Sequence, residues 1–289
     1  MSLSSKKRYN QEGLNIYMKI KNALKSSAYI LITILLLCSN LLAQAQPQRC
    51  FIMADLKSGK IIHQEGDICQ TRLSPSSTFK IALSLMGYDA GILKDAKIPE
   101  WKYNEKYPSW ISSWKQPHNP TTWIKDSCVW YSQVLTRKLG IKKFQYYVHL
   151  LNYGNQNLLG DPLKKNGLTM SWLSSSLKIS PSEQVSFLQK FLTKKFPLSS
   201  HSYDMTQRIL FIEKLNNGWD LYGKTGMGFL KNLDGTFNEN KPVGWFVGWL
   251  TRNDQTFVFA NVVVDKNITG LTAREYAKNF IQRNSRKRT

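Results

Sequence analysis

The pattern of apolar and polar positions changes character twice along this chain. Residues 51–56 and 61–64 are short apolar-rich runs on either side of Lys57-Ser58-Gly59-Lys60, and they predict a β-hairpin. From Ser74-Pro75-Ser76 onward, Phe79, Ala82, Leu83 and Met86 recur at helical spacing, with Gly87 and Gly91 near the end of the run. The stretch 99–124 is rich in Trp, Pro and Asn and predicts irregular structure with short turns. Helical periodicity returns at 126–139, 142–151 and 181–195, the last opened by Ser180-Pro181-Ser182-Glu183. Residues 219–223, 243–251 and 257–264 are rich in Val, Phe and Trp, with turn residues between them. They predict three strands of an antiparallel sheet, followed by a closing helix over 272–283. A hairpin comes first, helices fill the middle, and strands with a helix come last. This is an α+β layout in which both ends of the chain share one sheet. No internal repeat, low-complexity linker or long spacer interrupts it.

The N-terminus adds a destination. Residues 18–25 form a basic stretch and residues 28–37 an apolar one too short to span a bilayer. Ala43-Gln44-Ala45 then supplies an A-x-A cleavage pattern. The expected organisation is a leader over 1–45, cleaved after Ala45, and one domain over 46–289. Met18 is an alternative start, and an uncleaved anchor is the competing reading. Cys38 follows leucines rather than the small residue that lipoprotein processing would require.

Charge and cysteines narrow the class further. The formal net charge is +21, part of it in the leader. Such a surplus fits nucleic-acid or anionic-surface binding, but the basic residues are scattered and the one dense run, 283–288, is a tail. A solvated basic surface that favours anionic small molecules explains it better. Export permits a disulfide, and Cys50 and Cys69 bracket the open end of the predicted hairpin. A bridge there would contribute about 3 kcal/mol in the chain-entropy model. Cys128 is left over as a small buried hydrophobe. There is no C-x-x-C, and His63, His118, His149 and His201 lie far apart, which argues against a zinc hydrolase.

Ser77-Thr78-Phe79-Lys80 is an S-x-x-K at a predicted helix start. Residues three apart share a helix face, so an amine stands beside a hydroxyl. Serine needs a neighbouring base to become a nucleophile, and lysine serves only if burial lowers its pKa. The helix N-terminus also offers N–H groups to a developing oxyanion. Alone the motif is weak. Lys224-Thr225-Gly226, following the predicted strand at 219–223, strengthens it, because S-x-x-K with K-T-G marks β-lactamases and penicillin-binding proteins. Between them lie Ser127-Cys128-Val129, Tyr153-Gly154-Asn155 and Trp172. Taken alone, Tyr153-Gly154-Asn155 equally fits a helix end with a glycine cap.

With this ordered set the chain resembles the class D, oxacillinase-type serine β-lactamases over residues 50–283. No S-x-N of the class A kind occurs anywhere. The resemblance implies a fold with an antiparallel sheet, helices on both of its faces and an all-helical subdomain. It also implies hydrolysis of β-lactams through an acyl-enzyme on Ser77. Lys80 becomes a carbamate by reaction with CO₂, which would account for the lack of a class A-like glutamate. No metal or other cofactor is implied. Trp172 would donate to the carbamate, Val129 keep the pocket dry, and Ser127 relay a proton to the β-lactam nitrogen. Lys224, Thr225, Gly226 and Arg274 would bind substrate, the cations holding its carboxylate. The N–H groups of Ser77 and Met227 would form the oxyanion hole. The implied partners are small-molecule β-lactams, with no nucleic acid and no stable membrane anchor, for a periplasmic monomer or homodimer of a Gram-negative cell. Two readings compete: a penicillin-binding sensor or transpeptidase that acylates without turnover, and a non-catalytic basic surface-binding protein.

Overall fold

The computed structural model describes residues 47–285, together with Met18, Lys21, Leu24 and Lys25. The expected leader and its cleavage site lie outside the described residues. Six strands form one antiparallel sheet in the order β2-β1-β6-β5-β4-β3. They are β1 (Gln48–Asp55), β2 (Ile61–Gly66), β3 (Phe211–Lys214), β4 (Asp220–Lys231), β5 (Phe237–Arg252) and β6 (Gln255–Val264). The first strand pairs with the last, Gln48 opposite Val264 through Asp55 opposite Phe257. Strand periodicity builds the two faces. Cys50, Ile52 and Ala54 of β1 join Trp245, Val247 and Trp249 of β5 and Val258, Ala260 and Val262 of β6 in one apolar cluster. The alternate residues Phe51, Met53, Phe246, Leu250, Phe259 and Val263 form the other.

Among residues 47–285 there are seven α-helices: α1 (Lys80–Asp89), α2 (Pro120–Lys125), α3 (Val129–Leu150), α4 (Gly167–Met170), α5 (Pro181–Leu192), α6 (Ser200–Ile209) and α7 (Gly270–Ser285). Helix α5 packs on one sheet face against β1, β5 and β6, while α7 covers the other. The remaining helices gather as a helical region beside the α5 face, with α1 packed against α3 and α6. The start of α5 is the expected capping box, in which Ser180 N–H donates to Glu183 and Glu183 N–H to Ser180 Oγ. The two helical stretches expected at 126–139 and 142–151 are the halves of α3, joined across Gly140, whose φ of 72° breaks the helix.

Two boundaries depart from the pattern-based reading. Lys224-Thr225-Gly226 lies inside β4 rather than after a strand, because residues 220–229 pair continuously with β5. Glycines lower strand propensity, which hid the continuation. Ser77 sits in one turn of 3-10 helix, Ser76–Phe79, and α1 begins only at Lys80. Cys50 and Cys69 are bridged, closing the hairpin at its open end, and Cys128 is a buried free thiol.

Candidate active site

The 3-10 turn carrying Ser77 lies against β4, and the contact explains two glycines. A Cβ on Gly226 would stand 2.9 Å from the carbonyl oxygen of Pro75 and 3.0 Å from Thr78 Cγ2. One on Gly228 would stand 2.5 Å from Ser76 Oγ. Only hydrogen at these positions lets the nucleophile turn seat on the strand. Ser76 itself holds a φ of 50°, a left-handed conformation that costs a serine roughly 1 kcal/mol or more. Its N–H donates to the carbonyl of Trp172 at 3.0 Å, and Ser74 Oγ donates to the same oxygen at 2.7 Å. The turn is thus tied to two other segments of the site.

Lys80 leaves this turn into the core. It is wholly buried, and its Nζ lies 3.0 Å from Ser77 Oγ, the single hydrogen bond found for that amine. Residues i and i+3 nearly eclipse in 3-10 geometry, which brings the pair together. Burial pulls the Lys80 amine down to about 7. Above that pH the amine is neutral. Burial also pushes the Cys128 thiol up to about 12, so it remains protonated.

Beside this pair stands a second one. Lys224 Nζ donates to Ser127 Oγ at 3.0 Å, to Thr225 O at 3.1 Å and to Thr225 Oγ1 at 3.3 Å. Burial lowers the Lys224 amine well below its ordinary value, helped by the positive charges of Lys80 and Arg274. Ser127 has a φ of 57° and precedes Cys128, the N-terminal flank of α3. Val129, the first residue of that helix, is buried. Arg274 comes from the first turns of α7, half-buried, with its Nε 3.4 Å from Glu275. Helix α7 reaches β4 where a Cβ on Gly270 would stand 3.1 Å from Thr225 Cβ. Met227, one residue beyond the K-T-G, is largely exposed. Four segments therefore converge, bringing basic side chains and hydroxyls together around Ser77.

Trp172 is fully buried, its ring 5.6 Å from Phe79 and 6.2 Å from Phe144 between centroids. Its Nε1 has no hydrogen-bond partner. A buried orphan donor costs about 1–3 kcal/mol and needs a reason. An acceptor group added to the Lys80 amine would supply the partner, so the residues present fit a carbamate. Tyr153-Gly154-Asn155, by contrast, serves the scaffold. Tyr153 is buried with its ring 5.0 Å from Phe79, and Asn155 Nδ2 donates to Ser176 O. Among the described residues no cluster of three His, Cys, Asp or Glu side chains is arranged to hold a metal.

Sequence pattern gave no hint of the loop that carries Trp172. Asp161 accepts from Ser175 Oγ at 2.9 Å, from Asn166 Nδ2 at 3.0 Å and from Lys231 Nζ at 2.7 Å. Ser174 Oγ accepts from Phe229 N–H at 2.9 Å, and Ser174 N–H donates to Ser74 Oγ. These bonds staple the loop to β4 and to the nucleophile turn. An isolated Asp in a loop carries no signal of such a role.

A serine and a buried lysine on one turn, a hydroxyl–lysine pair opposite, and a K-T-G strand against an α/β sheet define a class. Residues 49–282 match the penicillin binding protein transpeptidase domain, and the chain belongs to that family. It is 40% identical over 239 residues to "Beta-lactamase OXA-9" of Klebsiella pneumoniae, covering 82% of this chain and 87% of that one. It is 37% identical over 265 residues to "Beta-lactamase OXA-1" of Escherichia coli, covering 91% and 92%. The crystal structure of OXA-427, a class D β-lactamase, superposes with a TM-score of 0.78 at 42% identity, over 83% of this chain and 99% of that one. Within the family its branch is the class D β-lactamases.

Proposed function

We propose that this protein hydrolyses β-lactam antibiotics through an acyl-enzyme on Ser77, with Lys80 carboxylated by CO₂. The observation that carries this reading is the Lys80 amine: wholly buried, 3.0 Å from Ser77 Oγ and held at about 7, in a core where the buried Trp172 N–H has no partner. A neutral amine captures CO₂, forming an N–C bond and releasing one proton. The product carbamate supplies a carboxylate-like general base suited to both acylation and deacylation. Trp172 Nε1 would donate to it, and Val129 would exclude bulk water from it.

The other residues take roles that their positions support. Ser77 Oγ attacks the β-lactam carbonyl, and the N–H groups of Ser77 and Met227 meet the oxyanion. Ser127, hydrogen-bonded to Lys224, relays a proton to the β-lactam nitrogen as the C–N bond breaks. Lys224, Thr225 and Arg274 hold the substrate carboxylate, whose charge relieves the repulsion among the cations, and Gly226 gives the substrate access to the strand. Export by a leader cleaved after Ala45, to the periplasm, belongs to the same reading. Among the described residues no helix is long and apolar enough to cross a membrane.

The reading is tested by intact-mass kinetics with benzylpenicillin. The native chain should show an adduct of one penicillin at Ser77 that forms and decays, Ser77→Ala none, and Lys80→Ala an adduct that persists if it forms. A stoichiometric adduct on the native chain that never decays, even in bicarbonate, would mean a sensor or transpeptidase instead.

A further inference from the structure

On the α7 face of the sheet, away from the catalytic residues, lies a second cavity of about 570 Å³. It lies beside the C-terminal half of α7 and is also lined from the β1–β2 turn and the β5–β6 hairpin. None of its lining residues belongs to the site described above. Its volume falls in the range of small-molecule sites, roughly 300–1,000 Å³.

The lining is divided by chemistry. Leu250, Phe257 and Phe280 make an apolar floor, Phe257 with its ring 5.3 Å from Trp219. Two cations, Lys60 and Arg252, stand on the rim. The Arg252 guanidinium lies 4.7 Å from the centre of the Trp219 ring, and its Nη1 donates to Asn217 O at 3.2 Å, two contacts that hold it in the lining. Trp219 lines the cavity and is only 3% exposed, yet its Nε1 has no hydrogen-bond partner. The one carboxylate in the lining, Asp55, accepts from both Ser58 N–H and Ser58 Oγ, at 2.7 and 2.6 Å. A buried donor without an acceptor, two cations and an apolar floor are jointly complementary to a molecule with an anionic head and a hydrocarbon tail.

We propose that this cavity is a binding site for a monoanionic amphiphile of medium chain length. Its carboxylate takes the Trp219 N–H and the charge of Arg252 and Lys60, and its tail lies over Leu250, Phe257 and Phe280. Helix α7 bears Arg274 near its start and Phe280 about 9 Å further along its axis, so the two sites share one rigid element.

The test uses the mature chain with ¹⁵N-labelled tryptophan, titrated with decanoate while the indole N–H signals are followed by NMR. The Trp219 signal is assigned as the one missing in Trp219→Phe, and nitrocefin hydrolysis reports that each variant is folded. Decanoate should shift that signal saturably. Arg252→Glu should weaken binding by about tenfold or more, as expected for loss of a charge-assisted donor. Four results would overturn the proposal. One is no saturable shift, meaning a void that holds only water. Another is equal binding of decyltrimethylammonium, meaning that the charge plays no part. A third is an affinity unchanged in Arg252→Glu. The last is competitive inhibition of nitrocefin hydrolysis at the same strength in native and Arg252→Glu chains, which places decanoate in the catalytic cleft.

Discussion

Two buried lysines divide the chemistry of this site, and what each is given differs. Lys224 has three oxygen acceptors, whereas Lys80 has only the Ser77 hydroxyl. Lys80 is thus the less engaged of the two amines, bonded only to the Ser77 hydroxyl. Its folded value of about 7 sets a direction with pH. Above about 7 the amine is free to take CO₂; as pH falls below 7 it gains a proton and loses that ability. At low total carbonate, turnover should therefore drop on acidification below about pH 7 and be level above it, as a pH–rate profile would show. Trp172→Phe keeps the packing against Phe79 and Phe144 but removes the orphan N–H. We expect about tenfold more bicarbonate to be required for half-maximal turnover, with the melting temperature little changed. At this scale the sequence named the participants through ordered motifs, but not their conformations. Ser76 and Ser127 adopt left-handed backbone that serine does not advertise, and an unpartnered indole N–H has no sequence signature.

The elements matter through how they are pinned to one another. The loop between α3 and α5 delivers Trp172, and Asp161 is the hub that holds it to β4. Burial alone would raise this carboxyl, but hydrogen bonds from Lys231, Asn166 and Ser175 outweigh it and bring the value to about 2. A depressed carboxyl stabilises the fold above its unfolded value of 3.8 and loses that contribution as pH falls toward 2. Asp161→Asn should cost about 1–2 kcal/mol in urea denaturation near neutral pH and lower turnover, with the loss of stability shrinking at pH 2. Gly228→Ala should be worse for catalysis than for folding. Its methyl meets Ser76 Oγ and Ser174 Oγ, so the nucleophile turn must shift, and kcat should fall by about tenfold or more. Periodicity identified α1, α3, α5 and α7. It passed over α6 and β3, because α6 is a polar helix with a few anchors such as Tyr203 and β3 is only four residues long.

For the whole molecule, the decisive feature is that the first and last of the described strands pair in one sheet. That was legible, because alternation in the hairpin and in the late strands demands two covered faces and the middle of the chain supplies the helices. The assignment of α7 to one face and α5 to the other was not, since apolar periodicity does not say which partner it meets. The hairpin staple acts at this scale too. Replacing Cys50 and Cys69 together by serine should lower stability to urea by about 3 kcal/mol while leaving nitrocefin turnover intact, because neither cysteine approaches the catalytic residues.

The claim at the centre of this account is that Lys80 works only after it has taken up CO₂. The direct measurement is nitrocefin turnover by the protein, first stripped of CO₂ at about pH 6 and then titrated with bicarbonate at pH 7.5. Turnover should start low and rise saturably, in step with a ¹³C-carbamate NMR signal that is absent from Lys80→Ala. Full turnover without carbonate, with no such signal, would contradict it.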